Sequence, residues 1–209
     1  MLINRSTRCR HFVFVHVPKT GGDSISEALR PYSAIDSSTG RKKHWSARTI
    51  RNSFFSEDSN HRWGDYFSFG VVRNPWEQVH SDYHFCRSHP VPAGDVGSWR
   101  NKVIRCKQIS FAQFVVDVCG QHGRVGSGLF RSYLANRDGQ QMVDFVMRHE
   151  RLDADFSELC RCLKLPSLKL PRVNVTPARQ HYRDDYDDRS RFLVGRKFAD
   201  DIKRFNYTF

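Results

Sequence analysis

The sequence predicts an α/β fold in which a parallel β-sheet is flanked by helices. Three apolar runs of strand length, residues 12–17, 65–72 and 142–147, are each followed by a segment with helical periodicity. Continuous apolar strands are typical of a parallel sheet that is covered on both faces, and the helices provide the crossovers between strands. With 209 residues the chain is long enough for one substantial core, so we expect a single domain over residues 1–209.

The first strand leads into a helix through a short glycine-containing turn. Residues 12–17 form an apolar and β-branched run that a proline ends, and apolar side chains then recur at helical spacing over residues 25–29. Ser24 is followed three residues later by Glu27, which is the pattern of a capping box. We therefore expect the helix to begin near Asp23 or Ser24.

The turn between this strand and helix has the composition of an anion-binding loop. Gly21 and Gly22 permit a sharp turn with inward-pointing N–H groups, and the positive end of the helix dipole lies at the same place. Lys19 adds a full positive charge. It precedes both glycines, whereas a Walker A loop carries its lysine after the last glycine. Asp23 is unexpected here, because a carboxylate should repel a bound phosphate.

The second strand also runs directly into a helix. Residues 65–72 are followed by Arg73, and Asn74 as N-cap with Pro75 in the first helical position predicts a helix start. An arginine at the carboxyl end of a parallel strand faces the ligand crevice of an open sheet, where its planar guanidinium suits phosphate oxygens.

The later segments are read as alternating helices and loops. Ser46 and Ser110 are plausible N-caps, the first for a helix through residue 55. Residues 87–102 and 121–130 are rich in glycine, serine or proline, so we expect two loops there, and the first is a candidate lid over an acceptor. Apolar spacing over residues 194–207 predicts one last helix.

Two motifs carry a resemblance to a known family. Pro-Lys-Thr-Gly-Gly-x-Ser at residues 18–24 resembles the 5′-phosphosulfate loop of sulfotransferases that use 3′-phosphoadenosine 5′-phosphosulfate (PAPS), especially those of the carbohydrate and bacterial branch. Phe-Gly-Val-Val-Arg-Asn-Pro-Trp-x-x-x-x-Ser-x-Tyr at residues 69–83 resembles their 3′-phosphate motif. Weaker similarity extends over nearly the whole chain. The resemblance implies a P-loop-NTPase-like sulfotransferase core that binds PAPS without a metal. The cofactor-binding residues that it implies are Lys19, Thr20, Gly21, Gly22, Asp23, Ser24, Arg73 and Ser81.

The same resemblance implies two catalytic residues. Lys19 would stabilise the negative charge that grows on the leaving 5′-phosphate. His44, in the context Lys-His-Trp-Ser, matches the family's catalytic-histidine position and would remove the proton of an acceptor hydroxyl. The chain has ten histidines, and His16 at the end of the first strand is the next candidate.

The expected activity is sulfuryl transfer from PAPS to a hydroxyl or amine group of a glycan or a hydroxylated metabolite. An alternative is a nucleotide-dependent phosphotransferase, which the lysine order and the lack of a recognisable magnesium-binding aspartate disfavour. The net charge of +12 also permits a basic nucleic-acid-binding module, although no nucleic-acid-binding signature occurs. A fold that has lost its activity is a third alternative.

The composition also bears on the compartment. No apolar run approaches the roughly 20 residues of a membrane span, and the basic residues 1–11 are not followed by a secretory cleavage pattern. The six cysteines lack the paired spacing of a zinc ribbon, and we expect mostly buried thiols in a reducing compartment. We therefore expect a cytoplasmic protein; the alternative is the soluble catalytic domain of a Golgi membrane protein.

Overall fold

The computed structural model describes residues 1–5, 9–37, 40, 42–55, 60–93, 98–120, 128–173 and 181–209. They belong to two compact units. The first unit consists of Met1–Arg73 and Leu129–Asn174, and the second of Asn74–Gly128 and Val175–Phe209. A single domain over residues 1–209 stays a prediction.

The first unit contains a five-stranded mixed sheet. Its strands are β1 (Leu2–Asn4), β2 (Phe12–Val15), β3 (Ile35–Asp36), β4 (Phe67–Val72) and β5 (Phe145–Arg148). The order across the sheet is β3-β1-β2-β4-β5, in which β2, β4 and β5 are parallel while β1 pairs antiparallel with β2 and β3. The predicted α/β class with a parallel sheet flanked by helices is confirmed. The antiparallel strand β1 was not predicted, because three residues are too few to show a periodicity.

Helices occur in both units of the described chain. They are α1 (Gly22–Leu29), α2 (Ala47–Phe54), α3 (Pro75–Ser88), α4 (Ser98–Gln108), α5 (Phe111–Cys119), α6 (Leu129–Tyr133), α7 (Leu152–Cys162), α8 (Asp188–Lys197) and α9 (Ala199–Phe205). The first unit holds α1, α2, α6 and α7, and the second holds the other five.

The core of the first unit lies between one face of the sheet and helices α1 and α7. Phe14 on β2 pairs in register with Phe69 on β4, and their rings stack with centroids 5.2 Å apart. Alternate residues of a strand share a face, so the other core side chains of these strands lie two positions away. The buried members of this cluster are Leu2, Phe12, Phe14, Ile25, Leu29, Phe69, Val71, Met147, Phe156, Leu159, Cys160 and Leu163.

The start of α1 differs from the prediction. The helix begins at Gly22, and its N-cap is Gly21 in a left-handed conformation with φ 82°, without a side-chain cap. The predicted capping box of Ser24 and Glu27 is therefore wrong. Ser24 lies in the first turn, where its hydroxyl oxygen accepts a hydrogen bond from the backbone N–H of Val173 at 3.3 Å. A glycine turn starts the helix, and a segment distant in sequence uses the serine.

Three other predicted N-caps are confirmed. Ser46 accepts from the N–H of Thr49 at 3.2 Å, and Ser110 accepts from the third residue of α5 at the same distance. Asn74 accepts from the N–H of Trp76 at 3.1 Å. These contacts span two or three residues, so the local sequence is enough to predict them.

Several predicted boundaries are wrong. The third strand begins at Phe145 rather than at Met142, whose N–H donates to the carbonyl of Leu134. The loop predicted at residues 87–102 is shortened by α3 and α4 to residues 89–97, of which 94–97 lie outside the described part. Residues 121–127 also lie outside it, and Phe130 belongs to α6.

The predicted last helix consists of two helices. Phe198 has φ −107° and ψ 23°, which is not helical, and it separates α8 from α9. Its side chain is buried, so packing in the second unit outweighs the continuous helical spacing of the sequence. In that unit α3 packs against α4, α5 and α8.

Candidate functional site

The candidate site lies at the carboxyl ends of the three parallel strands of the first unit. Because β2, β4 and β5 run in the same direction, these ends meet at one edge of the sheet. Open α/β sheets bind ligands at this edge. The residues that directly follow the three strands are His16, Arg73 and His149.

The loop after β2 is held in a fixed turn by its own contacts. Lys19 has φ 63°, in the left-handed region that residues with a side chain seldom adopt, and Gly21 follows with φ 82°. The buried Thr20 hydroxyl donates to the carbonyl of Val17 at 2.9 Å. Since α1 begins at Gly22, the N–H groups of its first turn lie at the end of this loop. The loop thus has the backbone of an anion site.

Arg73 joins the two sequence motifs within the first unit. Its Nη1 donates to the carbonyl oxygen of Lys19 at 2.9 Å, across 54 positions of sequence. A left-handed conformation outside glycine costs on the order of 1–3 kcal/mol, and a hydrogen bond to a charged donor contributes about 1.5–3 kcal/mol. Arg73 therefore helps to hold the strained lysine in place.

Close packing favours glycine at both loop positions, and the left-handed conformation of Gly21 favours it there as well. A Cβ on Gly22 would lie 2.2 Å from the imidazole ring of His16. A Cβ on Gly21 would lie 2.8 Å from Leu152 and 3.5 Å from His149. The sequence predicted the turn; the approach of these neighbours comes from the tertiary structure.

His16 and His44 form a pair beside this loop. Their ring centroids are 4.8 Å apart, and His44 Nδ1 lies 3.0 Å from the backbone oxygen of His16. A carbonyl only accepts, so Nδ1 carries the hydrogen and Nε2 of the neutral ring keeps its lone pair. Burial lowers the pKa of His44, and the charge of Lys43 lowers it further against the opposing effect of that hydrogen bond. His44 can thus act as a base at neutral pH.

His16 itself is deeply buried, with 2% of its surface exposed. Burial lowers the pKa of His16 far below its ordinary value, and the neighbouring His44 adds to the shift. The side chain therefore stays neutral, while its backbone carbonyl orients His44.

Asp23 has a cationic partner, whose charge offsets the repulsion between this carboxylate and a bound phosphate that the sequence led us to expect. Its Oδ1 lies 2.6 Å from Nζ of Lys43 and 3.9 Å from Nε2 of His16. Lys43 precedes His44 in the chain, so the ion pair also ties the histidine-bearing segment to the first turn of α1. From the sequence, Lys43 was known only as a member of a basic cluster. The presence of Asp23 in an anion-binding loop could have indicated that a cation lies beside it.

The other residues predicted to bind the cofactor have weaker structural support as ligands. The hydroxyl group of Thr20 already donates to the carbonyl of Val17 within the loop, so its backbone N–H, and not its side chain, is suited to a phosphate. Ser81 lies half-buried on α3 in the second unit, and its partnership with Arg73 at a 3′-phosphate stays a prediction. His149 was missed as a site residue, although its place directly after a parallel strand could have identified it.

A comparison with known proteins identifies the family of this chain. The family model described as "Sulfotransferase family" matches residues 4–208, which is nearly the whole chain. The chain belongs to the sulfotransferase family. The resemblance of the two motifs is thereby confirmed at the level of the family, and sulfuryl transfer is its general activity. No curated protein and no solved structure matches this sulfotransferase significantly. Among its described helices, none combines the length and apolar character required to cross a membrane.

Proposed function

We propose that this sulfotransferase transfers the sulfuryl group of PAPS to a hydroxyl or amine group of a glycan or a hydroxylated metabolite. The observation that carries the proposal is the position of His44. Its Nδ1–H donates to the carbonyl of His16, the residue directly after β2, its Nε2 is left as a base, and the proposed phosphate loop follows His16 in the chain.

The donor set of the loop fits a phosphosulfate group. The N–H groups at the start of α1 and the charge of Lys19 favour an anion, while Lys43 compensates the carboxylate of Asp23. By the family resemblance, Arg73 and Ser81 would bind the 3′-phosphate. When bound, PAPS supplies an electrophilic sulfur joined to a phosphate leaving group.

His44 and Lys19 divide the chemistry between them. His44 takes the proton of the acceptor hydroxyl at Nε2, since the lowered pKa keeps the ring neutral in the working range. Lys19 favours the negative charge that develops as the bond to the leaving group breaks, and its charge acts more strongly in the transition state than in the ground state.

The acceptor is defined only by class. The net charge of +12 favours acidic acceptors generally, and an acidic glycan satisfies this as well as an anionic metabolite does. Parallel assays with desulfated glycans and with small phenols or alcohols separate the two classes by which one releases adenosine 3′,5′-bisphosphate from PAPS.

Calorimetric titration with adenosine 3′,5′-bisphosphate and with AMP, in the presence of a chelator, tests the cofactor. Charge-assisted contacts of about 1.5–3 kcal/mol at the 3′-phosphate predict that the bisphosphate binds roughly 10- to 150-fold more tightly than AMP. Arg73→Gln should remove most of this preference. Arg137→Gln is the matched control, because Arg137 is an exposed arginine of the same unit.

Equal binding of the two nucleotides would overturn the 3′-phosphate assignment. In a separate titration without chelator, tighter binding of ATP with magnesium than of the bisphosphate would instead support the phosphotransferase alternative. A single salt-dependent affinity for any polyanion, insensitive to Arg73, would support the nucleic-acid alternative.

A further inference from the structure

The second unit contains a cluster of metal-ligating side chains that sulfuryl transfer does not use. His80 and His84 lie four residues apart on α3, and Asp185 ends the 3₁₀ turn Tyr182–Asp185. The Nε2 atoms of His80 and His84 lie 2.8 Å and 3.1 Å from the same oxygen, Oδ2 of Asp185. One ligand atom from each of the three residues lies within 4.8 Å of the others.

This arrangement is close to a three-ligand metal site. Residues i and i+4 of a helix present their side chains on one face, so two imidazoles can share one ion. Metal–ligand bonds of about 2.0–2.2 Å place neighbouring ligand atoms of a tetrahedron about 3.3–3.6 Å apart. The two separations between a histidine Nε2 and Asp185 Oδ2, 2.8 Å and 3.1 Å, lie a few tenths of an ångström below this range, so a small outward movement of the carboxylate would bring them into it.

We propose that His80, His84 and Asp185 bind one divalent transition-metal ion of the zinc class. Two nitrogen ligands and one carboxylate suit zinc, cobalt or nickel better than magnesium or calcium, which prefer oxygen ligands alone. A fourth position remains for water or another ligand. The sequence predicted no metal, because the aspartate lies 101 positions after His84.

The surroundings support a built site rather than an exposed cluster. The side chains of His80 and His84 are 14% and 16% exposed, and that of Asp185 is 32% exposed. The ring of Phe111 packs edge-on against His80 with centroids 5.5 Å apart, and Tyr83 does the same to His84 at 5.1 Å. Neighbouring rings and the helix backbone thus hold both imidazoles.

The ion would act as a structural clip. Its ligands tie the turn at Asp185 to α3 across a long stretch of sequence, so the bound ion stabilises the folded second unit over its unfolded chain. This stabilising role differs from the chemistry at His44, which belongs to the first unit.

Titration of the chelator-treated full chain with zinc chloride alone tests the proposal. We expect one ion per chain, a rise in melting temperature of about 5–10 °C at a hundredfold excess of free zinc over Kd, and visible d–d absorption when cobalt replaces zinc. His84→Asn and Asp185→Asn should each weaken binding at least about tenfold. His89→Asn, a histidine at the end of the same helix and outside the cluster, should bind as the parent does.

Asp185→Asn keeps the size of the side chain, so it remains informative if His84→Asn fails to fold. Absence of stoichiometric zinc binding by the parent chain overturns the proposal. Equal affinity of the parent and Asp185→Asn does so too, because the metal would then lie on other side chains, such as other histidines or the cysteines. Adenosine 3′,5′-bisphosphate binding, measured alongside, separates this result from a failure of the proposed function.

Discussion

The two histidine pairs of this sulfotransferase face different partners. In the first unit His16 and His44 have ring centroids 4.8 Å apart, and in the second His80 and His84 are 4.3 Å apart. The first pair is held by a neutral backbone carbonyl, which binds Nδ1 of His44 and leaves Nε2 as a base. In the second pair both Nε2 atoms converge on the carboxylate of Asp185.

The difference shows that the partner of an imidazole decides its chemistry. Near the carbonyl, burial lowers the pKa of His44 and favours the neutral base. At the second pair, burial raises the pKa of Asp185, but the hydrogen bonds from His80 and His84 outweigh it and the pKa lies below its ordinary value. The second pair thus combines two nitrogen ligands with one carboxylate oxygen, a donor set that suits a cation of the zinc class.

Replacement of the proposed base is expected to have the largest effect. His44→Asn retains an N–H donor near the position of Nδ1 but removes the base at Nε2. Turnover should fall by about 10²–10⁴ while bisphosphate affinity is unchanged, as measured by steady-state kinetics and calorimetry. If His44→Asn kept near-full activity, His44 would not be the base, and the proposed contrast between the two histidine pairs would be wrong. His16 would then be the next residue to test as the base.

The pH dependence of turnover also tests whether His44 is the base. Because burial lowers the pKa of His44, the parent enzyme should remain active as pH falls through the ordinary imidazole range near 6.5, and should lose turnover only as pH falls through the lower pKa in the fold. This acid limb should be absent from the residual activity of His44→Asn. An unchanged limb in the variant would assign it to another group.

Removal of the positive charge of Lys19 is expected to have the next largest effect on turnover. Lys19→Met retains the aliphatic stem, so it removes a transition-state contact with little change in packing. Turnover should fall by about 10²–10³, and the Kd of the bisphosphate should change less. Lys169→Met, at an exposed lysine of the same unit, serves as control. A loss confined to affinity would assign Lys19 to binding alone.

A methyl group beside His16 tests the support of the base. In Gly22→Ala the new Cβ would lie 2.2 Å from the His16 ring, so we expect a loss of about 1–3 kcal/mol in the free energy of unfolding, with reduced turnover. Urea denaturation measures the first effect. Gly64→Ala is the control, because no heavy atom lies within 4 Å of its added Cβ. Equal stability of both variants would show that His16 readily moves aside.

The smallest effect is expected from Asp23→Asn. The ion pair with Lys43 is partly exposed, 32% and 25% for the two side chains, so it contributes about 0–1 kcal/mol. Loss of a negative charge beside the anion loop should strengthen bisphosphate binding by up to about fivefold, while turnover falls slightly because the His44 segment is held less firmly. Weaker bisphosphate binding would mean that Asp23 supports the loop more than it repels the ligand.

The sequence by itself determined the α/β class, the three parallel strands and the two motifs that resemble those of the sulfotransferase family. Apolar strand-length runs and helical spacing are local patterns, and so are N-caps such as Ser46, Asn74 and Ser110, whose bonds span two or three residues. These features follow from the chain's nearest neighbours, so they can be read before the fold is known.

Only the tertiary structure decided which polar groups meet. The pairing of Lys43 with Asp23 joins distant segments, as does the hydrogen bond from Arg73 to Lys19. Ser24 looked like a helix cap because its competing partner, the N–H of Val173, is 149 positions away. Contacts of this kind depend on how strands and helices pack, and periodicity carries no information about residues that are distant in sequence.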